Sequence, residues 1–123
     1  MILVDTSIWI EHLCSGSPAL VTLLENGRVC THDFVIGELA CGELRNRAEV
    51  LGLLQSLPRL AAATEDESLF FLEQRRLMGC GIGHVDVHLL AATAMHGARL
   101  WTKDECLRSV AEQHAWAYTG ESP

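Results

Sequence analysis

The sequence predicts an α/β fold in which a central parallel sheet of four to five strands is flanked by helices on both faces. Short apolar runs recur along the chain, and a helical pattern follows most of them. Runs without alternating polar residues are typical of strands buried on both faces, as in parallel sheets covered by helices. Because the 123 residues are 49% hydrophobic, we predict one domain spanning residues 1–123 with its own core.

The first half of the chain alternates strand and helix signals. Asp5-Thr6-Ser7 supplies helix N-cap residue types directly after the apolar start, and Pro18 suits the first turn of a second helix. Pro58 ends a later helix because proline restricts the residue before it. The predicted elements are a strand over 2–4, helices over 8–13 and 19–26, a strand over 28–31, and helices over 32–44 and 47–56.

The second half repeats the alternation. Thr64 and Glu67 have capping-box spacing, three glycines between residues 79 and 83 form a flexible connection, and Gly97 ends the helix that follows them. The predicted elements are a weak, alanine-rich strand over 59–63, a helix over 68–78, a helix from the glycine connection to Gly97, a strand over 98–102, a helix ending near residue 113 and an edge strand over 115–118.

Composition and charge exclude several classes of protein. The formal net charge of −7 leaves no broad basic surface for duplex DNA. Apolar stretches are far shorter than the roughly 20 residues that cross a bilayer, and the start lacks the basic region of a signal peptide. We therefore expect a soluble, cytoplasmic protein without a membrane partner. The five cysteines contain no C-x-x-C pair and are expected to be reduced core residues.

Four acidic residues occur where the predicted fold brings ligands together. Asp5 and Asp104 follow predicted strands, whose carboxyl ends lie at the binding edge of an open parallel sheet. Glu38 and Asp86 lie on apolar helix faces, where we expect them to point inward. Helix capping remains an alternative for Asp5, Asp104 and Asp86. Glu43 has Arg47 four residues later, so we assign it to an exposed ion pair.

A cluster of four carboxylates requires positive charge, because mutual repulsion raises the pKa of each acid. Oxygen ligands with water in the remaining positions suit Mg2+ or Mn2+ rather than zinc. One or two such ions can bind a phosphodiester and activate a water molecule for its hydrolysis. The four acids therefore predict a metal-dependent phosphodiester hydrolase.

The acidic residues lie in four blocks: LVDTSIWIEHL, VIGELACGE, GIGHVDVHLLAAT and LWTKDECL. These blocks resemble, in order and over nearly the whole chain, the signature blocks of PIN-domain ribonucleases, and more narrowly of VapC toxins from bacterial VapBC toxin-antitoxin modules. The family's acidic motif falls on Asp5, Glu38, Asp86 and Asp104. The resemblance implies a PIN-like three-layer fold and catalysis by these acids, with all four as metal ligands.

The resemblance also implies a function and partners. It implies Mg2+- or Mn2+-dependent RNA cleavage by a metal-activated water, a homodimer, and inhibition by a VapB-type antitoxin. Thr6, Ser7 and Thr102 stand where family members often support the metal site, although simple helix capping explains them equally well. His84 and Glu105 depart from residues common in related toxins, which leaves the RNA target open.

Several alternatives remain. A housekeeping RNA-processing PIN nuclease would carry the same acids, and an inactive PIN-like module would bind without cleaving. A receiver-type phosphoacceptor domain fits the length, but Asp5 lacks an adjacent acid and the middle strand is an alanine run. His84 and His88 have a spacing that can hold zinc, yet no further Cys or His follows at a suitable spacing to complete the site.

Overall fold

In the computed structural model, which describes residues 1–120, a parallel sheet is enclosed by helices, and the predicted α/β fold class is confirmed. The described elements are β1 Ile2–Val4, α1 Thr6–Ser15, α2 Pro18–Glu25, β2 Val29–Cys30, α3 Asp33–Ala40, α4 Arg47–Ser56, α5 Glu65–Gln74, α6 His84–Met95, β3 Arg99–Trp101 and α7 Glu105–Gln113. The strand order is β2-β1-β3, with every pairing parallel. The first strand is therefore central.

The three residues of β1 show that both faces of the sheet are covered. Ile2, Leu3 and Val4 are 2%, 0% and 0% exposed. Successive residues of a strand point to opposite faces, so burial of all three requires packing on each side. The strands accordingly lack a polar face, as the sequence predicted.

The two remaining predicted strands contribute only single parallel bridges in the described residues. In the segment 59–63, Arg59 bridges Thr31, whose N–H donates to the Pro58 carbonyl at 2.8 Å. In the segment 115–118, Ala117 bridges Leu100. Arg59 pairs with Thr31, one residue beyond β2, and Ala117 pairs with Leu100 of β3. Alanine is frequent in both segments and is depleted in strands, so these segments have little tendency to extend a ladder. Within residues 1–120 the sheet thus has three strands with continuous pairing, fewer than the predicted four or five.

Two helices end earlier than predicted. The helix expected over 32–44 ends at Ala40, and the Arg47 guanidinium donates to the carbonyls of Ala40 (2.6 Å) and Gly42 (3.2 Å). Because Arg47 is used in this way, the predicted Glu43–Arg47 ion pair is wrong for the residues described. The helix expected to reach 78 ends at Gln74, since Arg76 adopts a φ of 53° that a helix cannot continue.

The cysteine prediction is partly wrong. All five cysteines are free thiols, as expected for a reduced chain, but only Cys30 is buried. The others lie at helix ends or in the connection before α6, where a small side chain meets solvent; they are Cys14, Cys41, Cys80 and Cys106. Among residues 1–120, no helix combines the length and the apolar character needed to cross a membrane.

Candidate functional site

Asp5 lies where two strands end side by side. It follows β1, and its N–H donates to the Trp101 carbonyl at the end of β3 at 2.9 Å. Its side chain is 8% exposed and makes no cap hydrogen bond to α1, although Asp5 occupies the N-cap position. Helix capping therefore does not account for this carboxylate, which is available for another purpose.

Two hydroxyls hold the Asp5 carboxylate in place. Ser7 Oγ donates to Asp5 Oδ2 at 2.9 Å, and Thr102 Oγ1 donates to the same oxygen at 2.7 Å. Each hydroxyl also accepts a backbone N–H, Ser7 from Lys103 at 3.0 Å and Thr102 from Asp104 at 3.1 Å. This network joins the start of α1 to the segment before α7 and fixes the orientation of Asp5.

Asp104 caps α7 through one oxygen. Its Oδ1 accepts from the Leu107 N–H at 2.9 Å, so the capping alternative holds for this residue. Capping fixes the side chain without consuming its second oxygen. An N-cap role and a metal-ligand role are therefore compatible at Asp104.

Asp86 lies in the first turn of α6 and is half-buried. Its Oδ2 accepts from the Gly83 N–H at 3.1 Å, as the capping alternative predicts. Burial raises the pKa of the Asp86 carboxyl above its ordinary value, and the negative charges of Asp5 and Asp104 raise it further, while the Gly83 hydrogen bond lowers it. The charges of Asp5 and Asp104 therefore act on Asp86, and a metal site shared by the three aspartates stays a prediction.

Glu38 lies on α3, and its side chain contacts the start of α1. The inward orientation predicted for it is wrong, because the side chain is exposed and only Val35 and Leu39 form the buried face of α3. Its Oε1 instead accepts from Thr6 Oγ1 at 2.8 Å, beside Asp5. Helical periodicity alone could not distinguish the buried face of α3 from its flank, where α1 meets it.

The donor set fits an oxygen-preferring divalent cation. Both hydroxyls reach one oxygen of Asp5, and within residues 1–120 no hydrogen bond reaches its Oδ1. Burial, together with the negative charges of Asp5 and Asp104, raises the pKa of the Asp86 carboxyl, and a bound cation would lower that pKa. Carboxylate oxygens are the ligands that Mg2+ and Mn2+ prefer.

A second group of ligand-type side chains lies elsewhere, and sequence reasoning missed one of its members. Glu65, His84 and His88 place one ligand atom each within 4.8 Å of the others. The four-residue spacing of the histidines was visible in the sequence, whereas Glu65 lies on α5, which packs against α6 only in the folded chain. The cluster is therefore a product of tertiary structure.

Comparison with known proteins identifies the class of protein. A family model described as PIN domain matches residues 2–113, so the chain belongs to the PIN-domain family, as the motif resemblance predicted. The receiver-type alternative is thereby set aside. Among similar curated proteins is Ribonuclease VapC32 from two strains of Mycobacterium tuberculosis, CDC 1551 / Oshkosh and ATCC 25618 / H37Rv. Each is 44% identical over 122 residues, covering 98% of this chain and 98% of the relative.

A solved structure supports the fold independently. The crystal structure of PAE2754 from Pyrobaculum aerophilum superposes with a TM-score of 0.67 at 16% sequence identity, covering 95% of this chain and 87% of that chain. At this level of identity the likeness concerns the fold alone. It agrees with the sheet and helix arrangement described above.

Proposed function

We propose that this protein is a metal-dependent endoribonuclease toxin of a type II toxin-antitoxin module, using Mg2+ or Mn2+ held by Asp5, Glu38, Asp86 and Asp104. The observation that carries the proposal is the state of Asp5: a nearly buried carboxylate, positioned by two hydroxyls and not used as a helix cap. Membership of the PIN-domain family and similarity to a protein named Ribonuclease VapC32 support the nuclease activity.

In this proposal the chain supplies the carboxylates that would bind the ion and the hydrogen bonds that hold those carboxylates in position. When bound, a divalent ion supplies Lewis acidity toward a phosphodiester and a water molecule. Ser7 and Thr102 orient Asp5, and hydrogen bonds at the starts of α6 and α7 fix Asp86 and Asp104, which would share the ion with Asp5. Glu38, more exposed and held through Thr6, suits a ligand reached through water or a second ion.

The proposal extends to partners. We propose RNA as the substrate, a VapB-type antitoxin as the inhibitor, a homodimer as the oligomer and the cytoplasm as the location. A groove of about 900 Å3 between α1, α3 and α4 contains Glu38 together with exposed apolar side chains such as Ile10 and Leu13. An inhibitory segment in this groove would cover one edge of the acidic site, which supports the antitoxin proposal.

Cleavage of a mixed RNA pool tests the proposed activity. Purified protein is incubated with Mn2+, with EDTA, and as the Asp5→Asn variant; Asp66→Asn, an exposed acid in the first turn of α5, is the matched control. We expect metal-dependent cleavage that Asp5→Asn abolishes and Asp66→Asn retains. Cleavage that survives in Asp5→Asn would refute the proposed site and indicate a contaminating nuclease.

Genomic context separates a toxin from a housekeeping PIN nuclease. A short reading frame for a DNA-binding antitoxin immediately upstream is expected for a toxin, together with growth arrest on expression that the antitoxin relieves. Growth that is unaffected by an actively cleaving protein would favour the housekeeping alternative. Absence of cleavage, with RNA still bound, would favour an inactive binding module.

A further inference from the structure

The histidines of α6 lie on the side of the helix away from Asp86. His84 and His88 are four residues apart and share one face, while Asp86, two residues from each, lies about 200° around the axis. Helix α5 packs against the histidine face and presents Glu65, its first residue, to both imidazoles. The cluster of Glu65, His84 and His88 is therefore distinct from the acidic site.

The distances within the cluster are close to those of a metal site. Glu65 Oε1 lies 2.7 Å from His84 Nε2 and 3.2 Å from His88 Nε2. In a tetrahedral site with zinc–ligand bonds of about 2.0–2.1 Å, neighbouring ligand atoms lie about 3.3 Å apart. Small side-chain rotations would open the cluster enough to admit an ion. The side chains of Glu65 and His84 are free to rotate in this way, because they are 58% and 59% exposed.

His88 is supported as metal-ligating histidines usually are. It is 4% exposed, and its Nδ1 lies 3.0 Å from the hydroxyl of Ser68, which is 1% exposed. A serine hydroxyl can accept from Nδ1–H, which leaves the lone pair of Nε2 directed at the position between Glu65 and His84. A partner of this kind fixes the tautomer and ring orientation of a ligand histidine. The Phe34 ring, 4.8 Å from the His88 ring, restricts it further.

We propose that Glu65, His84 and His88 bind a Zn2+ ion, with water completing the coordination, and that this ion ties the start of α5 to the start of α6. Two imidazoles and one carboxylate favour zinc over Mg2+, which prefers oxygen ligands. The single carboxylate offsets part of the positive charge. The proposal does not depend on the nuclease function, since none of the three residues belongs to the acidic cluster.

Metal titration of the full chain tests the proposal. Protein stripped with a chelator and exchanged into metal-free buffer is titrated with Zn2+ by calorimetry and with Co2+ by visible absorption, which reports imidazole ligation. We expect one zinc to bind the wild-type cluster. His84→Ala and Glu65→Gln should weaken this binding by at least about 100-fold, because loss of a ligand exceeds the roughly 10–100-fold effect of losing an outer-shell partner.

Two further variants separate ligation from structural effects. Ser68→Ala should weaken zinc binding by about 10–100-fold through loss of the His88 partner. His96→Gln removes an exposed histidine at the other end of α6 and should bind zinc like the wild type. Equal zinc binding by wild type, His84→Ala and Glu65→Gln would overturn the proposal, as would a wild type that binds no zinc. His84→Ala and Glu65→Gln change exposed side chains and should leave the core undisturbed. Circular dichroism of each variant checks that it is folded.

Discussion

Replacing Thr102 by valine would isolate the hydroxyl network that orients Asp5. Thr102 is 4% exposed, and its hydroxyl donates to Asp5 Oδ2 at 2.7 Å while accepting the Asp104 N–H at 3.1 Å. Valine has nearly the same shape, so the change removes these two hydrogen bonds and a longer 3.4 Å contact with Ser7 Oγ without opening a cavity. Ser7 remains as the other donor to Asp5.

The expected loss of stability follows from these contacts. A hydrogen bond to a charged group contributes about 1.5–3 kcal/mol, and the extra buried methyl of valine returns about 0.8 kcal/mol. Asp104 is exposed, so its backbone N–H can bond to water instead. The free energy of unfolding should therefore fall by roughly 1–2 kcal/mol, which corresponds to a Tm lower by roughly 3–10 °C for a chain of this size.

Thermal and urea unfolding in EDTA measure this loss. Thr22→Val is the matched control, because its hydroxyl donates to the Pro18 carbonyl on an exposed helix surface. The control should change the free energy of unfolding by no more than about 0.5 kcal/mol. RNA cleavage should also fall in Thr102→Val, because Asp5 loses one of the two hydroxyls that orient its carboxylate. If Thr102→Val and Thr22→Val had the same free energy of unfolding, the argument that the hydrogen bond from Thr102 to Asp5 stabilises the fold would be refuted.

Three further predictions concern metal, pH and thiol chemistry. Mg2+ should raise the Tm of the wild type but not of the Asp5→Asn, Asp104→Asn double variant, and an equal rise in both would place the ion elsewhere. Because the folded-state pKa of Asp86 is raised, its ionisation destabilises the metal-free fold. Asp86→Asn should therefore be more stable than wild type near about pH 7 in EDTA, and the difference should vanish below about pH 4; a difference independent of pH would contradict this. Burial raises the pKa of the Cys30 thiol to about 11, so a thiol reagent should label the exposed cysteines of the native protein, leave Cys30 unlabelled, and reach it only in denaturant.

The helices and central strands were predictable because their signals are local. Apolar runs, caps and glycines defined most elements, and Thr64 forms the predicted capping box with Glu67. The edge segments were predicted less well, because an edge strand forms only where the neighbouring strand offers unpaired backbone N–H and C=O groups. The segment 59–63 forms a single bridge, between Arg59 and Thr31, and this pairing depends on how distant segments pack.

The sequence by itself determined the α/β class, the family blocks and the positions of four acids, two directly after strands and two on helices. Tertiary structure alone decided what each acid does locally: Asp5 is held by hydroxyls far apart along the chain, Asp104 and Asp86 serve as caps, and Glu38 is exposed. It also brought Glu65 to His84 and His88. The physical reason is the distance along the chain over which each effect operates. Helix caps and the spacing of apolar residues in a helix involve neighbours within a few residues, whereas burial and side-chain contacts depend on the packing of segments distant in sequence.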